Sequence, residues 1–221
     1  MIENVLHPRI IENKDWAIIL FVVSFALIAV TKSIFENRFS EFSRLLVSDK
    51  YIKIYRDTSQ LMSWFNIILF TVQMISFAFF IQLILNYYGY VSKTDGIIYI
   101  QIITFLAVFV LSKFLIEKII ATLFNIEEFE EQFNLHKVSY RTYISFLLLP
   151  VNIVLFYNNN PSEKVILSII AAVLITNLWT YLVSLKNYQN LLLAKIFYFI
   201  LYLCTLEIAP YYFMYYWYTK N

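Results

Sequence analysis

From Ser63 to Tyr88 the chain carries no charged side chain. An α-helix rises about 1.5 Å per residue and the hydrocarbon core of a bilayer is about 30 Å thick, so roughly 20 apolar residues cross it. A helix that is apolar on every side over that length has to be enclosed by a large core or by lipid. Five further runs repeat the pattern: Trp16–Thr31, Ile97–Ile116, Tyr143–Tyr157, Val165–Leu185 and Leu191–Tyr218. A β-barrel is the other way to satisfy backbone polar groups in lipid. Its strands alternate in polarity over about ten residues, whereas these runs are continuous. The expected fold is therefore all-α. It is a polytopic membrane helix bundle with about six transmembrane helices and one or two interfacial or cytoplasmic amphipathic helices, forming a single integral membrane domain over residues 1–221. With 61% hydrophobic and only 14% charged residues, the chain departs from soluble domains, which carry about a quarter charged residues.

The same composition removes several chemistries. Glycine occurs only at Gly89 and Gly96, which leaves nothing for a glycine-rich phosphate loop. Cys204 stands alone, so no intrachain disulfide forms, and with only His7 and His136 beside it a Cys/His zinc site is not supported. A net charge of +2 does not point to nucleic acid. Accordingly, no catalytic, cofactor-binding or metal-ligating residue is assigned. The first residues set Arg9 and Lys14 against Glu3, Glu12 and Asp15, with no small-residue cleavage pattern after the apolar run. They do not read as a signal peptide, and the first span is expected to be retained.

Orientation follows from lysine and arginine in the connections. Connections one, three and five carry twelve of them: Lys32, Arg38, Arg44, Lys50, Lys53, Arg56, Lys113, Lys118, Lys137, Arg141, Lys186 and Lys195. The opposite side carries five: Arg9, Lys14, Lys93, Lys164 and Lys220. The bias places the first group in the cytoplasm and both termini in the periplasm. His7 and His136 then lie on opposite sides and cannot share a site.

Two connections have helical faces. Phe35, Phe39, Phe42 and Leu46 recur at spacings of four, three and four, with Arg38, Glu41 and Arg44 opposite them. This basic amphipathic segment is expected either to lie in the inner-leaflet interface or to cap the bundle. Arg38, Arg44, Lys50, Lys53 and Arg56 are its candidate interfacial or partner-binding residues. Tyr51–Arg56 alternates too briefly to read as a strand. In the third connection Ile126, Phe129 and Phe133 share a face, and Glu127, Glu128, Glu130 and Glu131 cover the rest. These four are candidates for binding a basic partner segment or a divalent ion, or else the solvated face of a helix extending the third span. His136 and Lys137 open the fourth span beside Tyr140 and Arg141, where an interfacial phosphate contact is conceivable.

Glu207 is the most informative single residue. A carboxylate in hydrocarbon costs at least a few kcal/mol and normally faces protein or water. Pro210 removes an amide donor and frees the carbonyl of Leu206 beside it. The notch reads either as a proton or ion site or as a pairing with Asn177, Lys195 or a tyrosine hydroxyl. Pro150 is expected to free the Phe146 carbonyl in the same way, as a static kink. Gln73, Gln82, Gln101 and Asn177 read as hydrogen-bonding glue between helices, and Ser168 with Ala172 as a small-residue packing pair. The aromatic run Tyr211–Tyr218 marks where the last span leaves the bilayer.

The segment His7-Pro8-Arg9-Ile10-Ile11-Glu12-Asn13-Lys14-Asp15-Trp16, the stretch Lys32–Phe42 and the tail Phe197–Trp217 together resemble an uncharacterised transmembrane family of Bacteroidota, known as a domain of unknown function. The resemblance implies a bacterial inner-membrane protein and brings no activity, cofactor or catalytic residue with it. The functional expectation is a non-enzymatic multi-pass subunit or scaffold of a cell-envelope complex, with membrane lipid and other membrane proteins as partners and no cofactor. A transporter or proton-coupled protein centred on Glu207 is the first alternative. An enzyme on a lipid-linked substrate, using Glu207 or the Glu127–Glu131 cluster, is the second.

Overall fold

The computed structural model describes residues 14–45, 50–55, 63–123, 125, 127–158, 161–187 and 216. Among them every regular element is a helix: α1 (Asp15–Ile34), α2 (Glu36–Ser43), α3 (Lys50–Tyr55), α4 (Trp64–Tyr87), α5 (Gly96–Leu123), α6 (Glu127–Tyr157) and α7 (Glu163–Asn187). Five of these, α1, α4, α5, α6 and α7, are long and apolar enough to cross a membrane. Each overlaps one of the first five runs expected from the sequence, α6 beginning well before the fourth. The sixth run, together with Lys195, Glu207 and Pro210, lies outside the described residues, as does Arg56.

Local chemistry sets the helix ends. Ser63 is extended and its hydroxyl accepts from the Asn66 amide, capping α4. α4 stops at a glycine in the left-handed region: Gly89 has φ 78, its amide donates to the Asn86 carbonyl, and the Tyr90 amide reaches back to Leu85 at 3.0 Å. This paired closure satisfies the orphan carbonyls of the last turn. Asp95 then caps α5 by accepting from the amides of Ile97 and Ile98. α5 and α6 are separated at Asn125, whose φ of 51 is a backbone state that asparagine tolerates better than most side chains.

One expectation is overturned. The glutamate-rich segment does not extend the third span. It forms the first turns of α6, which runs unbroken from Glu127 through Pro150 to Tyr157. Tyr51–Tyr55, with too little alternation for a strand, is the short helix α3.

α4 is the central element. Its Phe79 is fully buried and stacks on Phe21 of α1 (4.3 Å between ring centroids) and against Tyr99 of α5 (4.5 Å), with Trp16 and Phe156 of α6 around it. This aromatic core joins α1, α4, α5 and α6 near one end of the bundle, where the Trp16 indole also donates to the Thr94 carbonyl at 3.1 Å. A second core at the opposite end packs Phe42, Leu45, Tyr51, Ile52, Phe65 and Leu69 under α2 and α3. Between them α4 and α6 are joined by polar contacts. Thr142 donates to Gln73 at 2.7 Å, Ser76 to the Ser145 carbonyl at 2.8 Å, and the Asn152 amide to the Ser76 carbonyl at 2.8 Å. Gln82 donates to the carbonyls of Ser92 and Asp95, tying α4 to the cap of α5. Gln73 and Gln82 thus act as glue. Gln101 is exposed, and Asn177 donates to the Val173 carbonyl of its own helix.

Candidate functional site

α6 brings a stripe of polar side chains inward. Glu130, Asn134, His136, Ser139, Thr142, Ser145 and Asn152 are all buried. Between Glu130 and Ser139 these positions wind around the helix, and Ser139, Thr142, Ser145 and Asn152, spaced by three, three and seven, then keep to one side. The charged members gather at the end where α5 finishes and α6 begins. Glu117 of α5, only 3% exposed, accepts from Lys137 of α6 at 3.0 Å, and Lys113, one turn earlier on α5, stands 3.9 Å away. One turn before Lys137, the Asn134 amide donates to the Glu130 carboxylate.

The depth of this cluster follows from helix geometry. At 1.5 Å per residue Glu117 stands roughly 30 Å along α5 from Gly96, and Lys137 roughly 30 Å along α6 from Tyr157. Both ends of the ion pair therefore fall one hydrocarbon thickness from the opposite end of their helices. A charge pair is more tolerable there than at the bilayer centre.

Arg38 forms the neighbouring feature. The sequence reading placed it opposite the phenylalanines, on the solvated or lipid-facing side of α2. It is instead buried, 8% exposed, with its guanidinium 4.5 Å from the Tyr55 ring and 4.6 Å from Phe65. It donates to the Ser63 hydroxyl at 3.0 Å and to Asn66 at 3.4 Å. The reason is its spacing: Arg38 stands four residues before Phe42, so the two share one face of α2 and turn inward together. A planar, weakly hydrated guanidinium stacks on aromatic faces far better than an ammonium does. Arg38 thus fastens α2 to α3 and to the first turn of α4. Burial raises the Tyr51 phenol above its ordinary range, while the nearby guanidinium opposes the shift. Arg38→Lys keeps the charge but loses the stack and the fork. It should cost about 1–2 kcal/mol, read as an earlier thermal melt in detergent; an unchanged melt would mean the cage contributes nothing.

The remaining candidate residues divide between surface and interior. Arg44 and Lys50 are exposed, and Lys50 pairs with Glu41 at 2.7 Å. Glu127 and Glu131 are exposed at the start of α6, whereas Glu130 of the same run is buried. Lys53 and Glu128 lie within α3 and α6. His136 is buried against Tyr140 (4.7 Å) rather than presented to the interface. Pro150 is exposed. Among the described residues no three metal-ligating side chains come together.

Glu117 and Asn134 are absent from the expectations drawn from the sequence, and Lys113 enters them only through the cation count that sets orientation. Two signals were available. Lys113 and Glu117 stand four apart inside an apolar run, and Glu130, Asn134 and Lys137 stand at i, i+4 and i+7 on one helix. Chemically the cluster is a neutralised clamp between two spans: each buried charge has an opposite charge or a polar hydrogen beside it.

The profile of one protein family, described as Domain of unknown function (DUF4271), matches residues 17–218. No curated protein and no solved structure matches the chain.

Proposed function

The chain belongs to the DUF4271 family, and from that premise we propose that it is a non-enzymatic subunit or scaffold of a cell-envelope membrane complex, seated in the inner membrane of a bacterium. The observation that carries this reading is the contrast between its helices. α4 is enclosed along most of its length, whereas α5 exposes Ile100, Phe105, Val108, Leu111 and Leu115, and α7 exposes Leu174, Ile175, Leu178 and Trp179. Lipid alone accounts for such apolar faces. The same two faces, however, also expose Gln101, Thr104 and Ser112 on α5 and Ser168, Ala172 and Thr176 on α7. Small and polar side chains among apolar ones are the composition of helix–helix contacts within membranes. At the end held by the Arg38 cage and the Glu117–Lys137 pair, Arg44, Lys50, Glu127 and Glu131 point outward from a stiff base, a surface of mixed charge suited to protein partners. The excess of lysine and arginine in the connections at this end supports a cytoplasmic placement for it, with both termini periplasmic.

Photo-crosslinking in intact cells tests the proposal. A benzophenone side chain at Thr104 or at Ala172 should yield discrete protein-sized adducts that reproduce between preparations. Lipid adducts alone at both positions would overturn it.

A further inference from the structure

We infer that the end of the bundle opposite the charged clamp holds one anionic phospholipid, with its phosphate at Lys93 and the upper part of one acyl chain inserted between α4, α6 and α7. The observation is a cavity of about 300 Å³ at that end, within the range of small-molecule sites. Its lining changes character with depth. Phe80, Leu83 and Ile169 form the inner part, while Asn86, Lys93 and Asn158 stand at the helix ends. From Tyr87 back to Phe80, and from Glu163 in to Ile169, the cavity runs roughly 10 Å along the helix axes. The polar end is at headgroup level, because Tyr87, Tyr88 and Tyr90 are exposed there, and tyrosine concentrates at the membrane–water boundary. A pocket that is polar at the interface and apolar toward the bilayer centre has the orientation of a lipid standing in its own leaflet. Lys93 is the only charged residue in the described lining, and its cation favours an anionic headgroup over a zwitterionic one, against the opposing charge of Glu163 beside Tyr87. Its ammonium is held at the mouth by the Asn158 carbonyl at 2.8 Å. This inference concerns the opposite end of the molecule from the proposed docking surface and does not depend on it.

The test uses the full chain in nanodiscs containing a phospholipid with a photoactivatable acyl chain, carried either on phosphatidylglycerol or on phosphatidylcholine. Labelled peptides are read by mass spectrometry. Peptides carrying Leu83 and Ile169 should label about fivefold more from the anionic lipid, the scale of one lysine near an anionic group. The peptide around Phe105, on the lipid-exposed face of α5, should label equally from both and serves as the internal reference. Lys93→Gln keeps a donor for Asn158 and should bring the preference close to unity. Ile169→Phe, which fills the cavity without introducing a polar group, should remove labelling at Leu83. If its melt shows that it does not fold, the Lys93→Gln comparison decides alone. Equal labelling from both lipids in the unmodified chain, or crosslinks from this site to residues 188–221 instead of to lipid, would overturn the inference.

Discussion

Replacing Glu117 by leucine is expected to destabilise the bundle by about 3–5 kcal/mol, the range for removing one member of a buried ion pair. The loss is large because a single carboxylate serves two cations. Lys137 lies at 3.0 Å and Lys113 at 3.9 Å, and both are left in a desolvated interior when it goes. Lys137→Met should cost less, since Lys113 remains beside Glu117. The double substitution Glu117→Leu with Lys137→Met should recover only the share owed to Lys137, because an apolar pair can replace that ion pair at little cost while Lys113 still loses its carboxylate. Reversible unfolding in mixed micelles measures all three. If the single leucine variant unfolds no earlier than the parent, the pair is not desolvated and the clamp reading fails.

Phe79→Ala is the second large expectation. Its ring is fully buried and touches aromatic rings from α1, α5 and α6. Deleting it leaves a void that those three helices cannot close together, and the expected cost is about 3–5 kcal/mol. Phe105→Ala is the matched comparison. That ring is 63% exposed on α5 and exchanges contact with protein for contact with lipid chains of similar polarity. It should shift stability by less than about 1 kcal/mol. The ratio between the two variants is the diagnostic quantity, since it separates packing between helices from general apolarity. Equal effects would mean that the aromatic core does not organise the bundle.

The parts of this architecture legible in the sequence are those that depend on unbroken apolarity. The run Ser63–Tyr88 needs no partner to be recognised as a helix, and α4 occupies Trp64–Tyr87. Hydropathy also located α1 and α7 to within a few residues and the start of α5 to within one, but it stopped α5 at Ile116, before Glu117 and Lys118, where the helix continues to Leu123. It failed at the start of α6 because four glutamates there reverse the local signal, while helix continuity depends on backbone hydrogen bonds that apolarity does not report. The break before α6 was hidden too, since Asn125 does the work usually assigned to glycine or proline. Arg38 illustrates a different limit. Its spacing of four from Phe42 is a same-face spacing, but that Ser63, Asn66, Tyr55 and Phe65 converge on the guanidinium is a tertiary event. The inward stripe Ser139–Thr142–Ser145–Asn152 was visible as a spacing pattern but not as a choice between lipid and protein. That choice depends on which neighbour, here α4, supplies the acceptors.

The position of the Glu117–Lys137 pair also bears on which membranes the protein can occupy. Each residue stands one hydrocarbon thickness from the far end of its own helix, and the bond between them locks the two distances together. A helix meeting a bilayer of the wrong thickness ordinarily tilts to absorb the mismatch. Here α5 and α6 cannot tilt independently without separating the charges or dragging them into hydrocarbon. The pair therefore works as a built-in depth gauge, which should make the folded protein discriminate sharply between thin and thick bilayers.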